Sequence, residues 1–112
     1  MRNKSSSKPD TKIRPGTILN ILAKHYNVPK EHFTRKSEDR SSAWLKQVYV
    51  YCLWLLTDMR QHQIGVELDQ HQANIGKILE RVRHRILTEK KIRQEIIEVE
   101  SLFEEVQNLV AA

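Results

Sequence analysis

Glycine and proline are scarce in this chain, with three of each among 112 residues. An all-β domain needs these residues at its many tight turns, so their scarcity favours a helical fold. Cysteine occurs once, at Cys52, which excludes an internal disulfide and fits a reducing cytoplasm. No apolar run reaches the roughly 18 residues of a membrane span, and the opening MRNKSSSKPDTK lacks the apolar stretch of a secretory signal. We therefore expect one soluble domain with a single core and no membrane contact.

Groups that would carry catalysis or hold a metal are also sparse. Cys52 stands in an apolar segment where no neighbour would lower its pKa, and no carboxylate pair is placed for acid–base chemistry. The phosphate-binding motif G-x-x-x-x-G-K-[ST] is absent. The histidines have no cysteine or carboxylate at zinc-ligand spacing; they are His25, His32, His62, His71 and His84. We predict that the protein is not an enzyme and needs no cofactor, metal or small-molecule ligand.

The net charge of +5 is unevenly distributed along the chain. Residues 1–40 contain ten Lys/Arg against four Asp/Glu, residues 41–88 contain six against four, and residues 89–112 contain three against six. The front of the chain is therefore basic and its end is acidic. Small basic domains often bind phosphate groups, although the same excess of charge would also serve solubility alone.

The first forty residues predict a tail followed by a helix. Residues 1–13 are polar, basic and rich in serine, which predicts a disordered tail. RPGTILNILAKHYNV then has the apolar spacing of a helix, with Thr17 as its N-cap. Pro29 ends this helix and opens a short helical turn.

The next segment, SAWLKQVYVYCLWLLTDM, predicts a long helix with Ser42 as N-cap. It is apolar on nearly all sides, which is typical of a buried central helix. Trp44 and Trp54 are expected to anchor the core, and Cys52 to be a packed, inert thiol.

A short helix ending near QIGVEL and a longer one from about Gln70 come next. The apolar face of the longer helix is formed by Ile75, Ile78, Leu79, Val82 and Ile86. Its other side carries a polar and basic stripe of Gln70, Asn74, Lys77, Arg81 and Arg85.

The last segment, residues 89–112, predicts an amphipathic helix. Its apolar residues alternate at spacings of four and three, as in a coiled coil; they are Ile92, Ile96, Val99, Phe103, Val106 and Val110. Two interpretations fit equally well. The helix either folds back on the core of its own chain, or it joins a homodimer or a partner protein through residues 92–110.

Two helices joined by a tight turn, the second with a polar face, predict a helix-turn-helix. The second helix of such a unit enters the major groove with its N-terminus first, where amide side chains can pair with adenine N6 and N7. Lys77 and Arg81 lie further along the helix and would meet phosphate. The candidate reading residues are Gln70, His71, Gln72 and Asn74. A capped, solvated helix would show the same pattern, so this alternative stays open.

The order of features also resembles the C-terminal DNA-binding domain (domain IV) of the bacterial replication initiator DnaA, a fold related to Trp repressor. A basic residue and Gln early in the central helix match Lys46 and Gln47, and a closing Leu-Thr matches Leu56 and Thr57. An Ile-Gly pair after a short gap matches residues 64 and 65, and upstream ILAKHYNVPKEHF resembles the first helix of the family. The resemblance covers roughly residues 17–86.

The resemblance implies further DNA contacts, and the sequence also departs from the family. In the family a Gly-rich turn leads into Asp-His-Thr-Thr; with one turn residue deleted, those positions fall on His71, Gln72, Ala73 and Asn74. None is identical, so a different target sequence is implied. Lys46 and Gln47 would contact DNA from the central helix. The basic loop of the family implies minor-groove or phosphate contacts by Arg35, Lys36 and Arg40.

We thus expect an all-α, compact helix-turn-helix bundle around a buried central helix, spanning residues 14–88, with an extra C-terminal helix. The expected function is sequence-specific binding of double-stranded DNA. The protein would act as a small cytoplasmic, nucleoid-associated regulator in a bacterium, or in a replication or mobile-element system. The alternative is a protein-interaction or dimerisation module that keeps the fold without reading DNA.

Overall fold

Six helices make up the part of the chain that the computed structural model describes, which is residues 13–34 and 40–111, with side chains from 13–34 and 43–106. No strand occurs in these ranges, and the all-α prediction is confirmed. The helices are α1 (Pro15–Tyr26), α2 (Glu31–Thr34), α3 (Arg40–Leu56), α4 (Gln61–Leu68), α5 (Gln72–Thr88) and α6 (Lys90–Ala111).

Helix α3 is the centre of the bundle, as its nearly all-round apolar sequence predicts. It packs against α1, α2, α4 and α5, and Val48, Val50 and Leu53 are fully buried. Cys52 is buried too, and burial raises the pKa of its thiol. Such a thiol stays protonated near neutral pH, in agreement with the predicted packed and unreactive cysteine.

The two tryptophans lie at the margin of the core and not at its centre. Trp44 and Trp54 are each half-buried against the core cluster. The Arg85 guanidinium lies 4.6 Å from the ring centroid of Trp44, and that of Arg83 lies 4.5 Å from the ring of Trp54. These cation–π contacts attach α5 to α3 beyond their shared apolar packing.

Helix α6 folds back onto the core of its own chain, as the first of the two interpretations of its apolar stripe expects. The stripe residues Ile92, Ile96, Val99 and Phe103 are all buried in the common core cluster. Glu95 adds a polar contact, because its Oε2 accepts hydrogen bonds from the Tyr26 hydroxyl at 2.5 Å and from Trp44 Nε1 at 2.8 Å. One carboxylate on α6 thereby holds α1 and α3 together.

Several predicted boundaries shift. Helix α1 begins at Pro15, not after Thr17, because proline already has the backbone angle that the first helical position requires. Helix α3 begins at Arg40, so Ser42 lies within it and is not its N-cap. Residues 1–12 of the predicted tail lie outside the described residues, whereas Ile13 is buried in the core.

None of the described helices combines the length and apolar composition needed to cross a membrane.

We expect Phe103→Ala to lower the free energy of unfolding by about 3–5 kcal/mol, because it removes a fully buried ring from the core. Ile97→Ala is the matched control, since Ile97 lies on the same helix but is 52% exposed, and its effect should stay within about 0.5 kcal/mol. Chemical denaturation measures both changes. Equal effects of the two substitutions would contradict the packing of α6.

The tyrosines link stability to alkaline pH. Burial is the main reason that the pKa values of Tyr26, Tyr49 and Tyr51 are raised. For Tyr26 the hydrogen bond to Glu95 adds to the effect. For Tyr49 burial and the nearby Glu67 carboxylate raise the pKa to about 12, from an ordinary value of 10.0. The folded chain therefore holds these protons more tightly than the unfolded chain does.

A raised pKa contributes stability that is complete below the unfolded pKa and is lost as the pH rises through the folded one. We therefore expect the free energy of unfolding to fall as the pH rises from 10 to about 12. In Tyr49→Phe this fall should be shallower. Denaturant unfolding at a series of alkaline pH values measures the slope, and identical slopes in both proteins would contradict the expectation.

Candidate nucleic-acid interface

A turn of three residues, Asp69 to His71, joins α4 to α5 and determines their relative placement. Asp69 has left-handed backbone angles, φ 54° and ψ 46°. Its N–H donates to the carbonyl oxygen of Val66 at 3.3 Å, and the N–H of Gln70 donates to the carbonyl oxygen of Gly65 at 2.8 Å. This pair of bonds is a Schellman motif, which satisfies carbonyl groups at the end of α4 and reverses the chain.

Gly65 makes this reversal possible because it has no side chain. The residue is buried, and a Cβ atom built on it would lie 2.5 Å from the carbonyl oxygen of Gln70. Backbone oxygen cannot move aside as a flexible side chain would. Gly65 therefore has a steric role here: it lets the turn pass close to α4.

The N-terminus of α5 is defined by His71, which is its N-cap. The Nδ1 atom of His71 accepts a hydrogen bond from the backbone N–H of Ala73 at 3.2 Å, and the His71 carbonyl accepts from the N–H of Asn74 at 2.9 Å. An imidazole that accepts at Nδ1 carries its hydrogen on Nε2. The prediction of a helix start near Gln70 is wrong by two residues, because the Gln70 N–H is used by the Schellman motif and α5 begins at Gln72.

The first turn of α5 presents amide side chains to solvent. Gln72, Ala73 and Asn74 are exposed, and no acidic residue occurs in this turn to offset the positive end of the helix dipole. Gln70 is half-buried in the turn, where its Oε1 accepts a long hydrogen bond of 3.4 Å from Asn74 Nδ2. Three predicted reading residues, His71, Gln72 and Asn74, thus lie together at one helix end.

The predicted basic stripe of α5 is shorter than its sequence suggests. Lys77 and Arg81 are exposed one and two turns beyond Asn74. Arg85, by contrast, is half-buried over Trp44 and forms a salt bridge of 2.9 Å with Glu89. The hydrogen bond between them raises the pKa of Arg85 and lowers that of Glu89. The predicted apolar face of α5 is confirmed, since it packs inward through Ile75, Leu79 and Val82 and, partly buried, Ile78 and Ile86.

The residues outside α4 and α5 that are predicted to contact DNA are either half-buried or not described by the structure. Lys46 and Gln47 on α3 are both half-buried. The Gln47 Oε1 atom is out of contact with solvent and has no hydrogen-bond partner among the described residues, so it does not present itself to a ligand. Arg35 and Lys36 lie outside the described residues, as does the side chain of Arg40.

An open groove of about 520 Å³ lies between α4 and the start of α5. It is lined by His62, Gly65 and Val66 of α4 and by residues 69–72. Val66 is 71% exposed there. Sequence reasoning missed Val66, although helical spacing offers a signal. Ile64 and Leu68 are buried four residues apart, which leaves Val66, midway between them, on the opposite side of α4.

Within the described ranges no group of three or more His, Cys, Asp or Glu residues is arranged to hold a metal ion. No protein-family model matches this chain. The candidate interface consists of the turn, the first turn of α5 and the adjacent groove. Its polar side chains are the amides of that turn, the imidazoles of His62 and His71, the Asp69 carboxylate and the cations further along α5.

We expect Gly65→Ala to lower the free energy of unfolding by more than about 1 kcal/mol, because the new methyl group would overlap the Gln70 carbonyl oxygen. Gly16→Ala is the matched control. Gly16 lies in the first turn of α1 with nothing within 4 Å of its added Cβ, so this substitution should be neutral or stabilising by up to about 1 kcal/mol. Thermal and denaturant unfolding compare the two, and a neutral Gly65→Ala would contradict the steric role.

Proposed function

We propose that this protein binds double-stranded DNA in a sequence-specific manner, with the N-terminus of α5 inserted into the major groove. The observation that carries the proposal is the exposed first turn of α5. There Gln72 and Asn74 project from a helix whose start is set by the His71 cap and the Gly65 turn. Amide side chains at a helix start have the paired donors and acceptors that base edges require.

Each residue of this face has a role in the proposal. Gln72 and Asn74 pair with the N6 and N7 atoms of adenine. His71 donates from Nε2, because its Nδ1 accepts the capping hydrogen bond. Lys77 and Arg81 bind phosphate oxygens and position the helix, and they supply most of the salt-dependent affinity.

The resemblance to DNA-binding domain IV of the DnaA family supports the same proposal. The α4–turn–α5 arrangement fits a helix-turn-helix unit, in which the second helix reads DNA while the first supports it. On this basis we propose a small bacterial regulator, or the DNA-binding component of a replication or mobile-element system, associated with the nucleoid. The buried Gln47 amide oxygen is not one of the proposed contacts.

The alternative of a protein-interaction module has less support. It relied on the apolar stripe of α6, and the stripe residues from Ile92 to Phe103 are already packed in the core of the same chain. A partner would have to use the outer face of α6, where Ile97 is the one large apolar side chain that is exposed in the described part of this helix. DNA binding by α5 therefore remains the proposed function.

The experiment that tests the proposal is selection from a pool of random-sequence duplexes by the purified protein at physiological salt, followed by sequencing. Enrichment of one motif with A·T positions is expected from Gln72 and Asn74. Salt-sensitive retention without an enriched motif would contradict sequence-specific reading. Failure to retain DNA at all would contradict DNA binding.

On the enriched duplex, we expect Gln72→Ala and Asn74→Ala each to weaken binding by about 1–3 kcal/mol and to relax the sequence preference at one position. Arg81→Ala should weaken binding to all sequences alike and lower the salt dependence by about one phosphate contact. Lys91→Ala on α6 is the matched control for loss of one exposed cation and should leave both properties unchanged. Equal losses on enriched and random duplexes for all of these variants would contradict the assigned roles.

A further inference from the structure

The groove beside the start of α5 contains an exposed apolar side chain that core packing does not explain. Among the described residues four large apolar side chains are exposed, namely Leu55, Val66, Leu87 and Ile97. Of these, Val66 is the one that lines the groove, together with His71 and Gln72, the cap and the first residue of α5. It is 71% exposed, so its methyl groups are available for contact with a ligand.

A valine side chain can contact a ligand without changing its own rotamer. Its branched Cβ restricts χ1 to one strongly preferred rotamer in a helix. The methyl groups of Val66 are therefore held in one orientation before a ligand arrives, and little side-chain entropy is lost on binding. A long, unbranched apolar side chain at the same position would lose more side-chain entropy on binding.

The charge of the groove indicates which part of a DNA duplex it faces. Among the described residues no lysine or arginine lines the groove, whereas the exposed carboxylate of Asp69 does. A carboxylate repels phosphate, whereas it can accept a hydrogen bond from an exocyclic amino group on a base edge. The groove therefore fits base edges in the major groove and does not fit the sugar–phosphate backbone, which Lys77 and Arg81 meet further along α5.

We propose that Val66 contacts the C5-methyl group of a thymine in the major groove and so determines part of the target sequence. This inference rests on the proposed DNA binding by α5. The thymine methyl is the one apolar group on the major-groove edges of the four bases. A base pair at the tip of α5 lies against the wall that Val66 forms, because Val66 and Gln72 line the same groove. Helix α4 thereby takes part in reading the sequence and does not merely support α5.

The test uses the duplex enriched by selection and replaces each of its thymines in turn by deoxyuridine, which removes only the methyl group. At one position the replacement should weaken binding by the unaltered protein about four-fold, the effect of losing one buried methyl group. Val66→Ala should bind the original duplex several-fold more weakly and should be insensitive to the replacement at that position. Leu87→Ala is the matched control, since Leu87 is 78% exposed at the opposite end of α5, and it should behave like the unaltered protein.

Two outcomes would overturn the inference while leaving DNA binding intact. One is that the unaltered protein and Val66→Ala lose equal affinity at every replaced thymine. The other is an enriched motif without an invariant thymine. Failure to enrich any motif would overturn the proposed function and this inference together, so the two failures are distinguishable. The substitution is at an exposed helical position, and an unfolding curve for Val66→Ala that matches that of the unaltered protein excludes a folding defect.

Discussion

The close approach of Gln70 to Gly65 is the constraint on which the candidate interface depends. The hydrogen bond of 2.8 Å from the Gln70 N–H to the Gly65 carbonyl ends α4, and the space that a Cβ would occupy at Gly65 holds the Gln70 carbonyl oxygen. Because this contact allows a connection of only three residues, His71 is brought to the cap position of α5. The exposure of Gln72 and Asn74 and the shape of the groove beside Val66 both follow from it.

A second set of contacts holds the other end of α5 and unites the bundle. Glu95 on α6 accepts hydrogen bonds from Tyr26 on α1 and from Trp44 on α3, and the same indole is covered by Arg85 on α5. Four helices thus meet around one tryptophan. Charged and polar contacts of this kind add modest stability individually, but they specify which helix lies beside which, whereas apolar packing alone allows alternatives.

Periodicity predicted the elements whose two faces differ in polarity. The inward positions of α5 follow from its apolar spacing, whereas the buried character of α3 follows from its being apolar on nearly all sides. The start of α5 was misplaced because the Schellman motif at Asp69 and Gln70 uses residues that look like the beginning of a polar helix face. The sequence predicts Gln47 as a DNA contact and does not show that its Oε1 atom is buried, because the groups that cover a side chain come from distant parts of the chain. The local sequence does not show which distant residues cover a side chain. It likewise does not show that α4 and the start of α5 form a groove beside Val66.

The two arginine–tryptophan contacts have a mechanical consequence. Arg83 and Arg85 stand two residues apart on α5, yet they lie over indoles that are ten residues, or about 15 Å of helix, apart on α3. The two side chains therefore extend in opposite directions along α3. A roll of α5 about its own axis in either direction would lift one guanidinium from its ring. The pair therefore favours one rotational setting of α5, with roughly 0.5–1 kcal/mol from a contact at an exposed site.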